Sequence, residues 1–179
     1  MKRMKEFTIP FIGLKLGKHL FEYKIGQKFF EHFEYEEFND VEVLVSVALE
    51  RKTTLLELDF NISGHVNINC DLTNEPYNQE IQNEFNLVVK FGNEYNDENI
   101  DILIIPHGEY EINIQQYIYE LIVLAVPLKR IHPGVEDGTL NSDILKKLEE
   151  LSPTEKKNKK DNKEIDPRWD SLKKLLTDK

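Results

Sequence analysis

Cysteine is nearly absent from this 179-residue chain. Cys70 is the single thiol, so no internal disulfide can form, and the reducing cytosol is the natural compartment. Without a CxxC pair, a closed zinc site would need several scattered His and Asp ligands, and neither a metal nor a cofactor is expected. Long apolar runs are missing too: "LIVLAVPL" (121–128) is the longest, far short of the roughly 20 residues that span a bilayer. The N-terminal "MKRMKEFTIPFIGLK" is basic, but charges interrupt any signal-peptide core and no small-residue cleavage site follows. A cytoplasmic protein without a membrane partner is expected, read here as a monomer. The 8 glycines are scattered and match neither GxGxxG nor GxxxxGK[ST], which removes the usual phosphate cradles. Positive charge is in short supply, with 23 Lys+Arg against 33 Asp+Glu and a net charge of −10. That balance excludes a protein that coats nucleic acid over its whole surface.

The charge is also uneven. Residues 1–150 carry 14 basic against 27 acidic side chains, a balance of −13, whereas residues 151–179 carry 9 against 6, a balance of +3. An acidic body with a basic tail points to partner binding more than to catalysis.

What the chain has in quantity is alternation. Val41, Val43, Val45, Val47 and Leu49 recur with period two, and after a turn at "RKTT" so do Leu56, Leu58, Phe60 and Ile62. "SGH" is expected to break that strand. Val66, Ile68 and Cys70 then form a third alternation, and Phe85, Leu87, Val89 and Phe91 a fourth, implying an antiparallel meander. Phe7, Ile9 and Phe11, followed by "LFEYKI", predict a hairpin at the front. "QKFFEHFEYEEF" (27–38) fits a short helix, "NEYNDENID" (93–101) a polar loop, and "ILIIP" another strand.

From Ile114 the period changes: Ile114, Tyr117, Ile118, Leu121, Ile122 and Ala125 follow helical spacing, with Asn113 able to cap and Pro127 to stop the helix. Being apolar nearly all round, this helix is expected to be buried centrally against the sheet. A weaker helix follows at 141–151. "SPTEKKNKKDNKE" has no apolar residue and cannot offset the entropy of ordering, so a flexible linker is expected. Asp166 and Pro167 then signal a helix start, with Trp169, Leu172, Leu175 and Leu176 on one face. About eleven residues form no stable isolated helix, so its stability must come from docking.

The expected fold is therefore α+β: a largely antiparallel sheet curling towards a barrel, with one buried helix. It comprises a core domain over 1–151, a Lys-rich linker over 152–165 and a C-terminal "DPRW" helix over 166–179. The linker's root-mean-square reach is about 20 Å.

Catalytic chemistry finds little support. His65 lies five residues before Cys70, an odd offset that puts the pair on opposite strand faces. Cys70 continues the apolar face of Val66 and Ile68, as a packed core cysteine does. His107, at a strand end, or His132 would make an enzyme plausible only if placed beside Cys70 in a concave pocket. No catalytic residue is assigned, and no small-molecule substrate is expected. Basic features are Lys129, Arg130 and His132 after the helix, and Lys156, Lys157, Lys159, Lys160 and Lys163 in the linker.

Two segments together carry a resemblance. "QYIYELIVLAVPLKRIH" resembles the E-L-x-L-x-x-P-x-x-x-x-H segment of the YceD family, the large ribosomal RNA subunit accumulation proteins, with Glu120, Leu124, Pro127 and His132 at matching positions. "IDPRWDSLKKLL" resembles that family's C-terminal D-P-R-aromatic-x-x-L-x-x-L segment, matched by Asp166, Pro167, Arg168, Trp169, Leu172 and Leu175. Cys70 and Asp71 lie where many members carry C-x-R-C-L-x-P, but Thr73 stands where the second cysteine would be. The cysteine-rich stretch of many members before the DPR segment is also missing. A metal-binding role in those members therefore does not carry over. The resemblance implies a non-enzymatic factor in large-subunit rRNA accumulation that binds precursor rRNA or a ribosomal protein. The residues expected to contact the partner are Lys129, Arg130, His132, Lys156, Lys157, Lys159, Lys160, Arg168, Trp169, Leu172 and Leu176. The competing reading is an acidic chaperone-like binder of a basic ribosomal protein that never touches RNA.

Overall fold

Branched apolar residues at every second position build most of the molecule. In the computed structural model, which describes residues 3–140 and 143–151, they form a long antiparallel meander. Its strands are β2 (Gly17–Gly26), β3 (Asp40–Arg51), β4 (Leu55–Asn69) and β5 (Pro76–Gly92), each paired antiparallel with the next. The β3–β4 turn falls where expected and is closed by Lys52 N–H donating to the Leu55 carbonyl at 3.0 Å. Val43, Val45, Val47 and Leu49 of β3 and Leu56, Leu58, Phe60 and Ile62 of β4 are all buried on one face.

The expected break at "SGH" does not occur. β4 runs through it, and the alternation stays in phase from Leu56 to Ile68 because Gly64 occupies an inward position opposite Val43. Glycine is used there for close approach to β3, not to end the strand.

Two further strands depart from the meander. β6 (Asn96–Asn99) forms inside the segment expected to be a polar loop, and β7 (Ile102–Pro106) returns between it and β5. β7 is parallel to β5 and antiparallel to β6. The strand order is β2-β3-β4-β5-β7-β6, an open sheet with β2 and β6 as its edges, so the expected curl into a barrel is corrected.

The front hairpin is corrected as well. β1 (Thr8–Pro10) pairs antiparallel with β8 (Glu111–Asn113) in a separate two-stranded sheet, and β2 pairs with β3. The Arg51 guanidinium donates to the carbonyls of Ile12 and Leu14, fixing the connection at the end of β3 and away from a tight β1–β2 turn.

Helix α1 (Gln27–His32) forms where predicted and buries Phe29 and Phe30. Helix α2 (Gln115–Ala125) starts with Asn113 Oδ1 accepting from Gln115 N–H at 3.1 Å and ends before Pro127. It is not buried all round. Ile118, Leu121 and Ile122 face the core, whereas Leu124 is 77% exposed, because only one side of α2 meets the sheet. Asn83 Nδ2 of β5 donates to the Leu121 carbonyl at 3.4 Å and ties the two together. Two short helices follow, α3 (Pro133–Glu136) and α4 (Asp143–Leu151), and the chain divides into two units between Leu145 and Lys146. No helix among the described residues is long and apolar enough to cross a membrane. The linker and the Trp169-bearing segment lie outside the described residues.

Candidate partner-binding site

Two places collect the residues that matter. The first is a junction between the end of β4 and the segment after α2. Beyond Asn69 the chain turns tightly: Asn74 N–H donates to the Cys70 carbonyl at 2.8 Å, and Cys70 N–H to the Glu75 carbonyl at 2.9 Å. Asn74 takes a φ of 57°, a left-handed conformation that asparagine tolerates. The 130–132 segment lies against this turn. Asp71 holds Arg130 by both backbone groups, donating its N–H to the Arg130 carbonyl at 2.8 Å and accepting Arg130 N–H on Oδ2 at 2.9 Å.

His132 completes the junction. Its N–H donates to Cys70 Sγ at 3.3 Å, its Nδ1 accepts from Gly134 N–H at 2.9 Å to cap α3, and its ring meets Tyr77 edge-on at 5.4 Å. Cys70 and His132 are thus side by side, but the group that reaches the sulfur is a peptide N–H, and Nδ1 is committed to Gly134. A nucleophile–base pair needs a ring nitrogen on the sulfur; this geometry is a loop staple. Burial alone would push the Cys70 thiol up. Hydrogen bonds from the Thr73 side chain and from the backbones of His132, Thr73 and Leu72 outweigh it and hold the thiol below its ordinary value. His107, at the end of β7, stacks on Phe91 instead. Among the described residues no group of three or more His, Cys, Asp or Glu is placed to hold a metal ion.

The positive charge at this junction is already engaged. Arg130 Nη2 donates to Glu37 Oε2 at 2.9 Å, and Glu37 also accepts from the Tyr35 hydroxyl at 3.2 Å. Burial first and Glu37 second push the Tyr35 hydroxyl up to about 12. Beside the pair lies a hollow of about 400 Å³ lined in part by Glu37, Cys70, Asp71, Thr73 and Arg130, with His132 off its lining. Lys129 is exposed. Lys156, Lys157, Lys159, Lys160, Arg168, Trp169, Leu172 and Leu176 lie outside the described residues. Asp71→Ala is expected to cost about 1 kcal/mol, the typical worth of a partly exposed hydrogen bond. Its denaturation midpoint should fall at unchanged slope, and Cys70 in the folded protein should react faster with alkylating agents.

The second place is a groove of about 890 Å³ running beside α2, over β7 of the large sheet and β8 of the small one. Its floor is apolar, built from Leu103, Ile105, Ile112 and Leu121, all buried. Its walls carry apolar groups that stand in the open: Leu124 of α2, Tyr95 at 58% exposure and Ile100 at 80% exposure. Around them stand Glu84, Asp97, Glu109, Glu111 and Glu120, with Arg3 as the one basic residue on the lining among the described residues.

The half-buried Tyr117 registers this surrounding. Burial chiefly, then Tyr95, Asp97 and Glu120, push its hydroxyl up to about 12. The folded protein therefore favours the protonated phenol. That contribution to stability is complete below the ordinary value of 10.0 and is lost as pH rises towards about 12. Alkaline titration followed by tyrosinate absorbance is expected to show Tyr117 and Tyr35 ionising last, with unfolding over the same range. Ionisation of all seven tyrosines together near the ordinary value would contradict it.

Sequence reasoning missed this groove, because its lining comes from β5, β6, β7, β8 and α2, which are apart in the chain. The available signal was the surplus hydrophobicity of α2. A helix packed on one side of a sheet has a second apolar face to place. Of the positions in the "ELIVLAVPLKRIH" segment that carried the resemblance, Pro127 ends α2 and His132 caps α3, while Glu120 and Leu124 line the groove.

Neither a search of curated proteins nor one of solved structures finds a match. The family model of the large ribosomal RNA subunit accumulation protein YceD matches residues 58–176. That span takes in most of β4, the Cys70 junction, α2 and the DPRW segment, and the chain belongs to the YceD family.

Proposed function

We propose that the chain supports large-subunit rRNA accumulation as a non-enzymatic binding factor in the cytoplasm, its acidic domain contacting a basic ribosomal protein on the precursor particle. The observation that carries this is how the domain uses its charge. Residues 1–150 balance to −13, and Arg130, one of the few cations near the Cys70 junction, is paired with Glu37. Such a surface repels a bare phosphate backbone and attracts a Lys- and Arg-rich protein. The tail supplies the complementary element: Lys156, Lys157, Lys159 and Lys160 add salt-dependent attraction to rRNA, and Arg168, Trp169, Leu172 and Leu176 add an anchor. A tether between the two converts two weak contacts into one stronger attachment. The same acidity also favours the reading in which the protein holds a basic ribosomal protein and makes no contact with RNA.

Sedimentation of full-length protein and a 1–151 truncation with large-subunit precursors through a sucrose gradient tests the proposal. Full-length protein is expected to travel with the precursors, and the truncation to do so more weakly. If both stay at the top of the gradient, direct action on the precursor is refuted.

A further inference from the structure

We infer that the groove beside α2 is a docking site for an amphipathic, Lys- and Arg-rich helix of a protein partner. The choice of partner rests on the ribosomal reading above; the shape and charge of the groove do not. Three observations support it. First, apolar side chains stand out of the surface here, with Ile100 at 80% and Leu124 at 77% exposure above a floor of buried Leu103 and Leu121. Protruding apolar walls over an apolar floor suit the broad face of a macromolecular partner, and contiguous exposed apolar surface commonly marks such contacts. Second, among the described residues the lining holds five carboxylates against the single Arg3, which matches a cationic rim and repels phosphate. Third, strand addition at the neighbouring edge is disfavoured. β6 has four residues and a register irregularity between Asn96 and Asn99, both of which blunt an edge. A helix laid along α2, with its apolar stripe on Leu124 and Ile100 and its lysines over Glu120, Glu109 and Glu84, satisfies all three.

The test uses the full chain and a short fluorescent peptide with leucines at helical spacing and lysines elsewhere, followed by anisotropy. A counterpart with glutamates in place of the lysines is the control. Binding of the lysine peptide alone is expected. It should weaken about tenfold when salt shortens the reach of the rim charges. Glu84→Lys, Glu109→Lys and Glu120→Lys combined, all at exposed positions, should weaken it by a similar factor or more, as should Leu124→Asp alone; circular dichroism should show each variant folded.

Equal binding of both peptides, or an unaffected triple variant, would overturn the inference. So would binding that appears only in Trp169→Ala, because the chain's own C-terminal segment would then be the occupant. A self-association that the triple variant abolishes, with no peptide binding, would replace the partner by a second copy. The two proposals fail separately. Precursor co-sedimentation without peptide binding removes the groove assignment and leaves the ribosomal role. Salt-dependent peptide binding without co-sedimentation does the reverse.

Discussion

Gly64→Ala is expected to remove a large share of the protein's stability. Gly64 has a φ of 154°, which L-residues rarely adopt, and a Cβ there would press on the Glu42 carbonyl oxygen and lie 2.7 Å from Val43 Cα. Both neighbours are backbone of the paired strand, so relief requires β3 and β4 to separate where they sit mid-sheet. The strained backbone costs about 1–3 kcal/mol and the overpacking a similar amount. Their sum is a large share of the roughly 5–15 kcal/mol by which domains are stable. Thermal melts followed by circular dichroism on the purified variant should show a transition displaced to much lower temperature. A variant that melts like the wild type would mean that β3 and β4 are not in close contact at this position.

Phe30→Ala is expected to cost about 3–5 kcal/mol, the range for removing a fully buried phenylalanine. Phe30 is 0% exposed, and its ring lies 4.9 Å from Phe38, 5.4 Å from Phe29, 5.8 Å from Tyr35 and 5.9 Å from Tyr119. Four aromatic neighbours cannot collapse into the space together, so most of the cavity should remain. Because Tyr119 belongs to α2, the loss should also loosen the helix that forms one wall of the groove. At about 2–4 °C per kcal/mol for a chain of this size, the melting temperature should fall by roughly 10 °C. Phe30→Leu, which keeps most of the volume, should recover much of that. A melting temperature within a degree or two of wild type would show that α1 is not packed as described.

How far these features were legible depends on how local their causes are. The meander is written in period-two alternation with short turns, and α2 in a period change bounded by Asn113 and Pro127, so both follow from neighbouring residues. Gly64 misled because glycine in a strand pattern fits a break as well as a close approach, and only the partner strand decides. The β1–β8 pair joins segments a hundred residues apart, and the parallel β5–β7 pair depends on β6 looping outside. Neither leaves a mark in local pattern. The family was readable from two motifs. The geometry explains part of them: Pro127 and His132 set the chain's path onto the Cys70 turn, with Asp71 gripping Arg130. The groove was not readable, because its residues converge only after the sheet is assembled.

The most direct test of the central claim, that the acidic domain recognises protein on a large-subunit precursor, is a binding comparison with full-length chain at physiological salt. One sample contains precursor particles and the other the same particles stripped of protein. The account predicts binding to the particles, weakened at least about tenfold on the bare rRNA, as a −13 surface facing phosphate requires. Equal binding to the stripped rRNA would contradict it and transfer recognition to the basic tail.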